Sequence, residues 1–305
     1  MHWIILCLIA AFGYSIAAFI DNYNTDIIFK SRKPQAIKAV NGFLYLIIAA
    51  IIFIFIGVKE SSLEIILLSA LSGVVASIAS IPYYLALREE ESTTAAIYYQ
   101  LIPVFCIFAD VFLLGKTLTT LQVFGFCIIL TAPFIIILAR RRKSARKFEI
   151  QASLLFLAYV ALLSVSDIIF AKTEQRNTDP MTMFFWFTLG RAAFDIISTA
   201  IMPSWRKRIK QVRKDFPIKL FVMTALTIGI CIAADFLIRL SFTTTNTSFA
   251  TVVSNTTELI MTFMLGIILT VIWPNFGREK LNRHIVLSHL IATVIVVVGV
   301  ILTQI

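Results

Sequence analysis

The sequence predicts an all-α integral membrane protein: ten transmembrane helices arranged as two inverted five-helix repeats. Three observations predict it. Of 305 residues, 59% are hydrophobic and 14% charged, against about 45–50% apolar and about 25% charged in soluble domains. The apolar residues fall into ten runs, each near the roughly 20 residues that cross a bilayer. The second half of the chain also repeats the spacing of the first.

The runs cover residues 3–20, 40–58, 63–87, 95–114, 121–139, 151–171, 181–202, 218–240, 247–272 and 285–303. The first lacks a basic n-region and a cleavage site, so it reads as a retained span. The third carries Gly73/Ser77 and Ala76/Ser80, and the eighth Gly229/Ala233. Small residues four apart let helices cross closely, and plain packing explains the spacing equally well. The fourth contains Pro103, which removes a backbone donor and kinks the helix; the kink can open a carbonyl to a ligand or serve packing alone. The sixth carries Asp167, the seventh Arg191 and Asp195, the eighth Asp235 and Arg239, the ninth Glu258 and the tenth His289. His289 reads as a core or interface residue. Cys7, Cys106, Cys127 and Cys231 sit inside apolar runs without CxxC spacing. They read as small core residues, not metal ligands or a disulfide frame.

Lysine and arginine concentrate in alternate loops. Odd loops hold 21: Lys30, Arg32, Lys33, Lys38, Arg88, Arg140, Arg141, Arg142, Lys143, Arg146, Lys147, Arg206, Lys207, Arg208, Lys210, Arg213, Lys214, Lys219, Arg278, Lys280 and Arg283. Even loops hold four: Lys59, Lys116, Lys172 and Arg176. The positive-inside bias places odd loops in the cytoplasm and both termini outside, in a plasma or inner membrane. The net charge of +10 is therefore topogenic, and nucleic acid is not an expected partner.

A shift of 154 lays Ser92–Ala96 on Asn246–Ala250 and Pro103 on Thr257. A shift of about 150 lays Trp3–Ile20 on Ser153–Phe170. The expected units are residues 1–145 and 146–305. Five helices per unit is odd, so the second enters the membrane inverted, an architecture of many secondary transporters.

Ionisable groups within spans are costly and mark candidate sites. Arg191/Asp195 and Asp235/Arg239 are each four apart, so each pair shares a face and reads as self-neutralised or functional. Glu258 has no basic residue within a turn, and Thr251, Asn255, Glu258 and Thr262 share one face. That stripe should meet a cavity or another helix. Glu258 reads as a proton carrier, a counter-ion for a cationic solute, or an acid bonded to a neighbouring helix. Asp167 is expected on the same cavity. Asp110 shares a face with Tyr99, Pro103 and Cys106, with solvent exposure as the alternative. Asp21, ending the first span, reads as a loop residue or a site acid. Pro82-Tyr83-Tyr84 and Tyr98-Tyr99-Gln100 offer aromatic faces suited to an amine or quaternary ammonium, or an interfacial belt.

The segment Ser92–Leu130 resembles the EamA family of the drug/metabolite transporter (DMT) superfamily. Its family pattern is small residues, a mid-helix proline, Leu-Gly-Glu, a glutamine and a glycine. Pro103, Leu114-Gly115, Gln122 and Gly125 match, while Lys116 stands in place of the acid. In the second half Thr257 replaces the proline, and Gly277-Arg278-Glu279 follows an insertion with Pro274. Ala11-Phe12-Gly13-Tyr14-Ser15 is also similar to the family's first span, and Asp21-Asn22-Tyr23 resembles a short acidic–aromatic turn of some members. The resemblance implies a ten-helix secondary transporter of small organic solutes.

The expected function is movement of a small organic metabolite by alternating access, proton-coupled or by exchange. An amine, another cationic solute or an amino acid fits the acids and aromatics. The site residues are Glu258, Asp167, Asn255, Thr251, Asp235, Arg239, Tyr99, Pro103 and Tyr14. The partners are a small-molecule solute, a proton or other coupling ion and membrane lipid, with a homodimer open. No cofactor or metal is expected. The sequence has no Walker loop, HExxH or GxSxG motif, so an enzyme is not expected. The alternatives are a membrane sensor or assembly partner, or an integral-membrane lipid-modifying enzyme.

Overall fold

A computed structural model describes residues 2–24, 35–87, 92–112, 119–140, 146–174, 179–202, 218–245, 247–273 and 283–304. The described residues are 93% helical, without a strand. The helices are α1 (His2–Tyr23), α2 (Gln35–Ile51), α3 (Leu63–Ala86), α4 (Ser92–Tyr99), α5 (Ile102–Phe112), α6 (Thr120–Arg140), α7 (Arg146–Glu174), α8 (Pro180–Ile201), α9 (Ile218–Phe242), α10 (Thr247–Ile272) and α11 (Arg283–Gln304). A π-helical turn, Ile52–Ile56, prolongs α2 and ends at Gly57 with φ 84°.

Among the described residues, seven helices are long and apolar enough to cross a membrane. Shorter apolar stretches, Ala95–Phe108, Thr120–Ile129 and Val286–Gly299, occupy the other three expected places. The chain is a multi-pass membrane protein. Large apolar side chains cover its outside, as Ile5, Ile9 and Phe12 do on α1, where lipid rather than water meets them.

The expected fourth span is two helices, α4 and α5, joined by a tight turn. Gln100 N–H donates to Ile97 O at 3.2 Å and Leu101 N–H to Tyr98 O at 3.0 Å. Pro103 has no N–H to give the carbonyl of Tyr99, four residues back. Asn255 of α10 supplies the missing donor, its Nδ2 lying 2.9 Å from Tyr99 O. Gln100 Nε2 in turn donates to the Asn255 carbonyl at 2.7 Å. α10 thus completes the backbone at the break between α4 and α5, as a hydrocarbon solvent requires.

Residues of the family-like motif have local reasons. Thr119 and Gln122 form a capping box: Thr119 N–H donates to Gln122 Oε1 at 3.0 Å, and Gln122 N–H to Thr119 Oγ1 at 3.3 Å. A Cβ on Gly299 of α11 would lie 2.8 Å from the carbonyl of Gly125 on α6, so those helices touch backbone to backbone.

Helix packing is paired. α6 packs on α11, α2 on α8, and α10 on α4 and α5. α3 packs on α7 and α8, and α1 on α9 and α10. The α3–α8 crossing is tight. A Cβ on Gly73 would strike the Phe187 carbonyl, and one on Gly190 would strike that of Ala70. Gly229 departs from expectation. Nothing lies within 4 Å of a Cβ placed there, so Gly229/Ala233 does not mark a close crossing. Cys127 is exposed, so it is not a core residue.

Candidate functional site

Nine of the helices surround one cavity of about 140 Å³, room for several water molecules. Its lining follows helical spacing. α1 contributes Tyr14, Ala17, Ala18 and Asp21; α7 contributes Tyr159, Leu163 and Asp167; α10 contributes Thr251, Ser254, Asn255 and Glu258. α9 adds Thr227, Cys231, Asp235 and Arg239, while α8 adds Phe187 and Arg191. Tyr45 comes from α2, Ser80, Tyr83 and Tyr84 from α3, Tyr99 from α4 and Ile102 from α5.

Tyr14, Tyr99, Asp167, Asp235, Arg239, Thr251, Asn255 and Glu258, spread over five helices, meet on this lining. Pro103 does not line it. Its missing N–H acts one turn back, through the Tyr99 carbonyl held by Asn255. Pro103 is a shaping residue, not a cavity residue. The side chains of Asp110 and His289 and residues 113–118 and 274–282 lie outside the described residues.

The ion pairs differ from expectation. Arg191 pairs with Asp235 of α9, not with Asp195. Arg239 pairs with Asp167 of α7, Nη2 to Oδ1 at 2.9 Å, not with Asp235. Asp195 pairs with Lys38 of α2 at 2.7 Å. The helical spacing puts each set on one face, but facing helices bring closer partners. Tyr14 adds a hydrogen bond from its hydroxyl to Asp235 Oδ1 at 2.6 Å. For Arg191 the sequence order is also the weaker one, base before acid.

Lys38 is not a loop charge. It lies in α2, 1% exposed. Its ammonium donates to the carbonyl and hydroxyl of Ser77, both at 2.8 Å, and to Ser80 Oγ at 2.6 Å. Asp21 is likewise in α1 and buried, with the Tyr83 hydroxyl 3.5 Å from its Oδ2.

Tyr83, Tyr84, Tyr99 and Tyr159 form an aromatic wall inside the cavity. Ring centroids lie 5.0 Å apart for Tyr83–Tyr159, 5.2 Å for Tyr83–Tyr84 and 5.4 Å for Tyr99–Tyr159. Tyr83, Tyr84 and Tyr99 are buried, so they are not an interfacial belt. The two arginines stack on other rings. Arg191 lies 4.5 Å from the Tyr45 centroid, and Arg239 lies 4.0 Å from Phe187 and 4.5 Å from Phe170.

Glu258 is 4% exposed. Its backbone carbonyl accepts from Ser15 Oγ at 3.2 Å. Among the described residues no cation pairs with its carboxyl. Sequence reasoning missed Arg191 as a lining residue, and also Tyr45 and Tyr159. Tyr159 had a signal, since it falls two turns before Asp167 on one face.

The fold and site thus define a multi-pass helical membrane protein with a charged, aromatic cavity at its centre. Residues 1–138 match the EamA-like transporter family. The matched stretch is a little under half of the chain, and the family it resembles is part of the DMT superfamily. A solved structure, described as a crystal structure of a protein, shares the fold. It covers 98% of this chain and 94% of its own, with TM-score 0.63 at 14% identity. The comparison with curated proteins gave no match.

Proposed function

We propose that the chain is a secondary transporter of a small organic solute bearing positive charge, an amine, another cationic solute or an amino acid. One observation carries the reading. Both halves of the chain line one cavity that holds the tyrosine wall and Glu258, whose carboxyl pairs with no cation among the described residues. A carboxyl so placed can hold a proton in one state and a cationic solute in another. Aromatic faces favour the same cation.

The working units are residues 1–145 and 146–305, as inverted repeats. The packing supports this. Exchanging each helix of one half for its mate turns the α3–α7 contact into the α9–α1 contact. It turns the α4/α5–α7 contact into the α10–α1 contact. Alternating access then rocks the halves about the cavity, with proton coupling or exchange as the driving process. The site residues are Glu258, Asp167, Asn255, Thr251, Asp235, Arg239, Tyr99 and Tyr14. Both termini are outside, in a plasma or inner membrane.

The test is flux in proteoliposomes on a solid-supported membrane, with counterflow for electroneutral exchange. The expected result is saturable transport of one cationic or amino-acid class, lost in folded Glu258→Gln. Wild-type rates in that variant would remove Glu258 from the mechanism. Silence in both assays for all solutes would favour a sensor or assembly role.

A further inference from the structure

The Lys38–Asp195 pair differs in kind from the two pairs on the cavity wall. Arg191 and Arg239 hold their carboxylates with guanidinium groups, which keep their protons in proteins. Lys38 carries an ammonium, which can give one up. Among the described residues it is the one buried lysine. Lys38 does not line the cavity, whereas Ser80 does. Ser80 Oγ accepts from Nζ at 2.6 Å, so one hydroxyl separates the ammonium from the cavity.

The partners of the ammonium are divided between the two halves of the chain. Ser77 and Ser80 are on α3, which belongs with α2 to the first half, and Asp195 is on α8, in the second. Parting of α8 from α2 and α3 takes the carboxylate away. It leaves the ammonium among three serine oxygens, Ser77 O, Ser77 Oγ and Ser80 Oγ. Neutral oxygens do not balance a buried charge, and a buried ion without a counter-charge neutralises itself. Nζ then passes its proton to Ser80 Oγ while the hydroxyl hydrogen, now directed at the Ser77 carbonyl, turns and leaves for the cavity. Return of α8 reverses both transfers and re-forms the pair.

The other ionisable groups near the pair are already engaged. Arg191, one turn before Asp195 on α8, is held by Asp235 of α9 and lies over the Tyr45 ring of α2. It remains a positive neighbour for Asp195 when Lys38 is withdrawn. The Tyr84 hydroxyl of α3 accepts from Asn41 Nδ2 at 3.4 Å. Cys231 of α9 lies on the cavity lining.

We propose that Lys38, cradled by Ser77 and Ser80, binds the coupling proton at a site separate from the solute cavity, and that Asp195 of the opposite half sets when the proton is held. The proposal rests on the transporter reading above and names its coupling ion and where that ion binds.

The test uses the purified full chain in proteoliposomes with the membrane potential clamped. Radiolabelled amines and amino acids are screened by counterflow. Those carried are then offered with a pH gradient and no solute gradient, against protein-free vesicles. The readout is the ratio of accumulation to counterflow. Wild type should approach about tenfold accumulation per unit of pH gradient, the limit for one proton per solute. Lys38→Arg keeps a cation for Asp195 that does not release its proton, so accumulation should fall to the level of equilibration. Lys38→Met/Asp195→Asn removes both charges together and should give the same loss, which keeps the test open if the arginine is too large to fold. A ratio that survives in both variants would overturn the proton site. So would loss of counterflow along with accumulation in both, which would mark the pair as structural. Wild type that shows counterflow but accumulates nothing in a pH gradient would also overturn it and leave the transporter reading standing. Folded wild type without counterflow for any solute would overturn the transporter reading itself.

Discussion

Replacing Lys38 by methionine tests the joint between α2, α3 and α8. The side chains have similar volume, so the loss is electrostatic and no cavity opens. The ammonium has four oxygens around it: Ser77 O and Oγ at 2.8 Å, Ser80 Oγ at 2.6 Å and Asp195 Oδ1 at 2.7 Å. Without it, Asp195 is a fully buried carboxylate whose Oδ2 already lacks a partner. Breaking a buried pair in this way costs about 3–5 kcal/mol. Asp195→Asn alone should cost less, about 1–3 kcal/mol, because the ammonium keeps the serine oxygens. The double variant removes both charges and should return to within about 1 kcal/mol of wild type. The assay is equilibrium unfolding of the purified chain in mixed micelles, followed by tryptophan fluorescence. Costs that simply add in the double variant would refute the reasoning, because they would show that the two residues do not interact.

Three further outcomes follow from the geometry. Gly73→Ala and Gly190→Ala each press a methyl into the facing backbone carbonyl; each should lower stability by about 1–3 kcal/mol, and the double variant by less than the sum, measured by the same unfolding. Asn255→Leu strips the donor from Tyr99 O and should cost about 1–3 kcal/mol; adding Pro103→Ala restores a backbone N–H there and should recover part of it, and no recovery would exclude the capping role. Asp179 caps α8 by accepting from Thr182 N–H at 3.0 Å and pairs with Lys59 at 2.9 Å. The Lys59 ammonium holds its carboxyl below the usual range. The contribution is therefore present above the ordinary aspartate value of about 3.9 and lost as pH falls below it through the depressed folded value. Asp179→Ala should cost about 1 kcal/mol at pH 7, and the difference from wild type should vanish in strong acid.

The helices were legible because lipid enforces one rule along the whole chain, and runs such as Phe221–Phe242 obey it apart from Asp235 and Arg239. The α10 face with Thr251, Asn255 and Glu258 was legible for a related reason: polar groups on one stripe must face inward. Partners were not legible. Nothing in the spacing of Arg191 and Asp195 says that α9 and α2 bring closer counter-charges. Lys38 was hidden by its company, since Lys30, Arg32 and Lys33 precede it in a basic stretch. The tyrosines were ambiguous because amphipathic rings suit an interface as well as a wet cavity. Gly229 looked like Gly73 by spacing, but only the neighbouring helix decides whether a missing side chain is used.

The Lys38–Asp195 pair also bears on how the protein is made. Its members are 157 residues apart in the chain. At the usual rates of synthesis the lysine emerges roughly 8–30 s before its aspartate. Over that interval a cation at the edge of α2 has no counter-charge, and lipid would reject it. The second helix must therefore wait at the insertion machinery or at the water interface until α8 arrives. Membrane integration of this chain is then a delayed closure, with α8 completing the burial of a helix made long before it.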